Sequence, residues 1–318
     1  MCKYALKHSV FFLEAAPSFS FYCPFRAPVK CAMMKGEWKR SVKHVKQPRN
    51  PRRLVVKVGT STLTRETGSL NLQNMEHLAR VLADLEGMGY QPVLVSSGAI
   101  GIGTKKLRLG ERPTELRMKQ AAAAVGQCRM MHIYDKLFAE YNRTVAQILL
   151  TGEDVESPVR SEHLHNTFEA LLELGVIPVV NENDSVSSAE IETGQCKVLG
   201  DNDTLSAIVA RLCGAGLLVL FSDIDGLYDA DPRTHPDARL IHQVEAITPE
   251  LRAMAGGAGS WRGTGGMATK LSAAELAMGA GVDMVITNGA RPEDLYGVVN
   301  GEDVGTRFVA KPPCSALS

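Results

Sequence analysis

The segment Leu54-Val55-Val56-Lys57-Val58 constrains the fold more than any other. It is apolar without a break and rich in β-branched residues, and similar runs recur at 92–96, 176–180, 217–222 and 282–287. A strand with one wet face alternates apolar and polar residues, so continuous runs belong to strands covered on both faces. Helical spacing fills the intervals between them. Leu72, Met75, Leu78, Leu82 and Leu85 lie on one helical stripe, and Gly89 closes it. Further helices are predicted over 114–141, 161–174 (with Ser161 as N-cap), 203–213, 267–278 and 292–299. A strand is predicted at 144–150, and 305–310 reads as a last edge strand. The alternation of strand and helix predicts an α/β fold, a mainly parallel sheet sandwiched between helices. No internal repeat is visible.

The chain has 318 residues, 45% hydrophobic and 22% charged, in the range of ordinary globular enzymes. Its formal net charge is zero but divides unevenly. Residues 1–53 hold 12 of the 35 Lys+Arg with Glu14 and Glu37 as their acids, a net of +10, so the remainder carries −10. This marks 1–53 as a basic extension, disordered or never translated if synthesis starts at Met33 or Met34. Organelle targeting by such a leader is the weaker reading. The folded domain is expected over 54–311, with 312–318 as a tail. No apolar run reaches the roughly 20 residues that span a bilayer. The seven cysteines form no CxxC pair, which argues against a disulfide framework or a zinc site and for a reducing compartment. Cys213, on an apolar helical face, reads as core.

In a parallel α/β sheet, ligands bind beyond the carboxyl ends of the strands. Those ends here read Lys57-Val58-Gly59-Thr60-Ser61, Ser96-Ser97-Gly98-Ala99, Asn181-Glu182-Asn183-Asp184 and Ser222-Asp223-Ile224-Asp225-Gly226. One polar loop means little; four at one edge make a site. Lys57 has two readings, a solvent-facing residue on an edge strand or a cation aimed at a bound anion. Gly59-Thr60-Ser61 favours the second, because small residues let backbone N–H groups approach phosphate oxygens. A glycine cluster, Gly263-Thr264-Gly265-Gly266-Met267-Ala268-Thr269-Lys270, opens a helix whose N-terminal amides suit a polyphosphate. It is not a Walker A loop, and the GxxGxG of 98–103 is not a dinucleotide fingerprint. Gly200-Asp201-Asn202-Asp203 starts another helix, and three polar residues exceed what capping needs. The carboxylates there either orient the two lysines or help hold Mg²⁺. Asp225 and Asp229 read as turn residues. Two lysines, glycine loops and carboxylates, with no nucleophile, indicate phosphoryl transfer, which works by positioning and charge stabilisation.

Taken in order, the segments at 55–61, 95–100, 181–186, 200–203 and 263–270 resemble the glutamate 5-kinase family of the amino acid kinase superfamily. The likeness runs from about Leu54 to Phe308. The glycine-rich segment and Asn181-Glu182-Asn183-Asp184 set that family apart from aspartate, carbamate and nucleoside monophosphate kinases. The resemblance implies the amino acid kinase fold and ATP-dependent phosphorylation of the L-glutamate side chain, the first step of proline synthesis. It assigns Lys57 and Lys270 to the phosphates and Asp203 to holding both lysines. Ser97, the amides of Gly98 and Ala99, Asn181, Asp184 and Asn202 would bind glutamate. Gly59, Thr60, Ser222, Asp223 and the residues from Gly263 through Lys270 would line the ATP site, with Mg²⁺ accompanying the nucleotide.

It further implies a cytoplasmic homo-oligomer, proline feedback inhibition and hand-off of the acyl phosphate to glutamate-5-semialdehyde dehydrogenase, with no nucleic-acid or membrane partner. Two departures stand out. The C-terminal RNA-binding-like domain of many bacterial members is expected to be absent, and the loop at 190–199 is longer than the usual pattern. The alternatives are a kinase for acetylglutamate or aspartate, or a non-catalytic amino-acid sensor on the same fold.

Overall fold

The computed structural model describes residues 49–65, 69–186, 201–255 and 266–311. In chain order the elements are β1 (Asn50–Val58), α1 (Thr60–Leu63), α2 (Leu72–Gly87), β2 (Gln91–Ser96), α3 (Ala99–Lys106), α4 (Leu116–Ala139), β3 (Val145–Leu150), α5 (Gly152–Glu156) and α6 (Pro158–Glu173). The second half adds β4 (Ile177–Glu182), α7 (Asn202–Leu212), β5 (Ala215–Ser222), β6 (Gln243–Val244), α8 (Pro249–Ala255), α9 (Met267–Ala280), β7 (Asp283–Asn288), α10 (Asp294–Asn300) and β8 (Thr306–Phe308). The basic extension before residue 49, the long loop at 190–199 and the tail at 312–318 lie outside the described residues.

The strands form one sheet in the order β3-β4-β2-β1-β5-β7-β8-β6. Pairing is parallel from β3 through β7, and β8 runs antiparallel to β7. This is the α/β/α sandwich that the apolar runs predicted. Two expectations need correction. The strand at 305–310 is shorter and is not at the edge, because the two-residue β6 pairs outside it. The helix predicted from 161 starts at Pro158, with Ser157 as its cap; Ser157 Oγ accepts from Arg160 N. Proline has no N–H to lose at a first helical position and its φ is already helical, so Ser157-Pro158 outcompetes Ser161.

Side-chain parity along β1 decides which layer each residue meets. Leu54, Val56 and Val58 enter the core with α2, α4 and α10, while Val55 enters the one with α6, α7 and α9. Lys57 shares the parity of Val55 and so faces the α7/α9 layer. β1 extends back to Asn50, held there by Arg53, which is buried. Its guanidinium pairs with Glu169 of α6 and the Cys213 carbonyl after α7, and its Nε donates to Gln91 Oε1 at 3.0 Å. Cys213 is core as expected, and burial pushes its thiol up to about 12.

At the amino ends of the strands, Arg49 and Arg307 donate to the Gly281 and Val298 carbonyls that close α9 and α10. These are cations on helix C-termini, where the macrodipole favours them.

Helix α3 lies so close on α4 that Gly126 has no room for a side chain: a Cβ there would overlap the Ala99 carbonyl. This close approach lets the stretch after Gly98, where no helix was predicted, be helical despite Gly101 and Gly103. Gly126→Ala is therefore expected to push α3 and the turn before it outward. It should cost about 1–3 kcal/mol by overpacking, measurable as a lowered melting temperature.

Candidate active site

β1, β2, β4 and β5 are adjacent and parallel, so the four polar loops named above lie at one edge of the sheet. The chain crosses to opposite sides of β1 on its way to β2 and β5, and such a reversal opens the crevice where α/β proteins bind ligands.

On the α7/α9 face of that edge, three charged side chains meet. Lys57 comes from the end of β1, Asp203 from the first turn of α7 and Lys270 from the first turn of α9. They are 7%, 1% and 6% exposed. Lys57 Nζ lies 2.5 Å from Asp203 Oδ1, and Lys270 Nζ donates to Asp203 Oδ2 at 3.0 Å. The edge-strand reading of Lys57 is thereby excluded: β1 is central, and the ammonium is buried against a carboxylate. The Thr269 hydroxyl stands 3.1 Å from Asp203 Oδ2 and 2.7 Å from the Gly266 carbonyl, fixing the start of α9 to the same acid. Asp201 caps α7, accepting from Thr204 N at 2.8 Å. Of the two carboxylates, one is therefore a cap and the other a bridge.

Burial of Asp203 opposes its charge, but the fields of Lys57 and Lys270 and their hydrogen bonds outweigh it. The carboxyl is held below the usual carboxylate range. Two cations on one anion leave this buried cluster with net positive charge, an arrangement suited to a polyanion. A depressed folded pKa means the stabilisation from Asp203 is fully present above the unfolded carboxyl value of about 3.9 and is lost as pH falls through the folded value. The contribution of Asp203 to the melting temperature should thus be independent of pH near neutrality and be lost in strong acid. The fall of melting temperature in acid should be smaller in an Asp203→Asn variant, as a pH series of melts would show.

A second part of the edge is built on β2 and β4. Gly98 turns the chain with φ 98°, a conformation that glycine adopts without strain, and hands it to α3, so the amides of Ala99 and its successors point along the edge. Ser97 Oγ donates to the Val58 carbonyl at 2.9 Å, tying this turn to β1. Asn181, at the end of β4, donates through Nδ2 to Gln127 Oε1 of α4 at 3.0 Å. Asp184 follows in the turn after β4, and Asn202 opens α7 beside Asp203.

At the end of β1, Gly59 caps α1 and Thr60 starts it, just past Lys57 and Val58. Ser222 and Asp223 close β5, with Ser222 Oγ 3.2 Å from Asp223 Oδ1. Met267, Ala268, Thr269 and Lys270 form the first turn of α9 after Gly266. Gly263, Thr264 and Gly265 lie outside the described residues.

Asn74 was missed by sequence reasoning. From α2 its Nδ2 donates to the Thr62 carbonyl at 3.2 Å and the Gly289 carbonyl at 2.9 Å, clamping α1 to the turn after β7. A polar residue beside Met75 on the apolar stripe of α2 was the available signal. Asp225, set aside as a turn residue, accepts from Asn288 Nδ2 at 2.9 Å and Arg291 Nη2 at 2.8 Å, joining the ends of β5 and β7.

The profile of the amino acid kinase family matches residues 52–288. A glutamate 5-kinase from Clostridium perfringens is 56% identical over 263 residues, 83% of this chain and 97% of that protein. The chain belongs to the glutamate 5-kinase family. Its likeness to the Listeria monocytogenes glutamate 5-kinase is 51% over 263 residues, 83% of this chain and 95% of the relative. Solved structures confirm the family's fold at low identity. The UMP kinase of Bacillus anthracis aligns with TM-score 0.56 at 15% identity, covering 84% of this chain and 98% of that one. The Giardia lamblia carbamate kinase aligns with 0.57 at 13%, covering 83% and 99%. Within this family setting, the buried cluster of Lys57, Asp203 and Lys270 lies at the carboxyl-end edge of the parallel strands.

Among the described residues no group of three His, Cys, Asp or Glu could hold a metal. Asp203 is taken up by the two lysines and Asp201 by its cap, so neither of these two carboxylates fits a magnesium ligand.

Proposed function

We propose that this protein transfers the γ-phosphoryl group of ATP to the side-chain carboxylate of L-glutamate, giving L-glutamyl 5-phosphate and ADP, the first step of proline synthesis. The observation that carries the reading is the buried ammonium pair of Lys57 and Lys270 on one ionised carboxylate. It stands between a glycine-bearing turn and a helix N-terminus. A carboxylate oxygen of glutamate attacks the γ-phosphorus while the bond to the β–γ bridging oxygen breaks, and ADP leaves with that electron pair. The acceptor is already an anion, so the step needs no general base. Its difficulty is charge: two polyanions must be brought together, and negative charge spreads over the transferring oxygens.

Lys57 and Lys270 offset that charge, and Asp203 keeps both ammonium groups on the same side. Because the three are buried, their field is poorly screened and needs little reorganisation during transfer. The nucleotide would lie along Gly59, Thr60, Ser222, Asp223 and the segment from Gly263 to Lys270. Glutamate would lie against Ser97, the Gly98 and Ala99 amides, Asn181, Asp184 and Asn202. Magnesium would enter as the complex of ATP, held by phosphate oxygens, and no step above passes through a protein-bound metal. A cytoplasmic homo-oligomer, inhibition by proline and transfer of the reactive product to a reductase belong to the same reading.

The test is ADP release with Mg-ATP and L-glutamate, acetylglutamate or L-aspartate in turn, hydroxylamine being present to trap acyl phosphate. Glutamate-dependent hydroxamate is the expected result. Hydroxamate from another acid would move the substrate, and ADP release from none would return the sensor reading.

A further inference from the structure

We propose that Gln127 is a positioning residue for the acid substrate, acting through Asn181 so that the site recognises a free α-ammonium group. This rests on the reading that L-glutamate is the substrate. Gln127 lies on α4 immediately after Gly126, whose backbone touches Ala99, and its side chain reaches Asn181. It thus stands beneath both substrate loops, the turn into α3 and the end of β4. Gln127 is 6% exposed and Asn181 is 2% exposed.

The two amides are coupled: turning over one alone breaks the bond, and turning over both exchanges donor and acceptor, so Asn181 faces the site as Gln127 is set. Here Asn181 Nδ2 donates to Gln127 Oε1. With the nitrogen side of Asn181 held against α4, the opposite side of its planar carboxamide is the acceptor Oδ1. An acceptor suits an ammonium group, with three N–H donors, better than an acylated nitrogen with one.

A second observation sets Gln127 apart from packing. Its Nε2 is buried and has no hydrogen-bond partner among the described residues. An unsatisfied buried amide is a destabilising feature for which a methionine of similar volume would be a simple remedy. Retaining it makes sense where the direction of Oε1 matters.

The experiment compares wild type with Gln127→Met, Asn181→Ala and the double variant, reading KM and kcat for L-glutamate, KM for ATP and melting temperature. Gln127→Met should raise KM for glutamate about tenfold, the effect of losing one oriented hydrogen bond. KM for ATP and kcat should stay within about threefold, and melting within a few degrees. Selectivity for glutamate over acetylglutamate should narrow. In the double variant, glutamate KM should match that of Asn181→Ala alone, because a residue acting through Asn181 has nothing left to position. Where turnover is lost, glutamate binding by calorimetry reads the same cycle.

Unchanged glutamate KM in a folded Gln127→Met, or additive effects in the double variant, would overturn the proposal and leave the kinase reading intact. Loss of melting temperature with equal losses for both substrates would make Gln127 a packing residue. Failure of wild type to use glutamate would instead remove the reading on which the proposal stands.

Discussion

Replacing Asp203 with asparagine is expected to lower kcat by about a thousandfold or more and to destabilise the fold by roughly 3–5 kcal/mol. Asparagine keeps the volume and one acceptor oxygen, so lost packing contributes little. What disappears is the charge between two buried ammonium groups, Lys57 at 2.5 Å and Lys270 at 3.0 Å. Their mutual repulsion is then uncompensated, and burial makes that costly. One lysine must either leave the site or give up its proton, and either loses half of the positive charge that the proposed transfer relies on. Melting curves and steady-state rates read the two effects separately. A variant retaining more than about a tenth of wild-type kcat would show that Asp203 is not what holds the lysines in place.

Lys270→Ala is expected to remove turnover, again by about a thousandfold or more, while glutamate binding stays within about threefold. Lys270 lies in the first turn of α9, whereas the groups proposed for glutamate come from the ends of β2 and β4 and the start of α7. Removing the ammonium also relieves part of the positive charge around Asp203, leaving Lys57 to pair with it. Stability should therefore fall less than in Asp203→Asn. Calorimetry with glutamate alone, set beside the rate with ATP, separates binding from transfer. Loss of glutamate binding together with turnover would place Lys270 in the acid site instead.

The fold was legible where burial left no choice. Continuous apolar runs identified β1, β2, β4, β5 and β7 and their parallel arrangement, because a strand covered on both faces cannot afford polar alternation. What escaped detection was set by tertiary contact. β6 has two residues, too few for any period, and its absence from the sequence reading turned β8 into an edge. α3 runs through Gly101 and Gly103, poor helix formers; close packing on α4 outweighs that propensity.

The site was legible in part. Strand ends placed Lys57, Ser97, Asn181 and Ser222 on one edge by topology alone. The carboxylates at 201–203 had two readings, one of them orienting the lysines, and only the family resemblance singled out Asp203, since no local spacing encodes a contact across 67 positions. Parity explains afterwards why Lys57 meets it: Lys57 faces the layer that α7 and α9 supply. Gln127 and Asn74 gave no motif, because each acts through one hydrogen-bonded neighbour set by how helices lie on the sheet.

The most direct test of the central claim is the mass of the phosphate formed when the protein turns over Mg-ATP with L-glutamate carrying heavy oxygen in its side-chain carboxylate, hydroxylamine being present as trap. If that carboxylate attacks the γ-phosphorus, hydroxylamine displaces a phosphate that keeps the bridging oxygen, and the phosphate carries one heavy atom. Unlabelled phosphate released at the rate of ADP formation would mean that water, not glutamate, accepts the phosphoryl group.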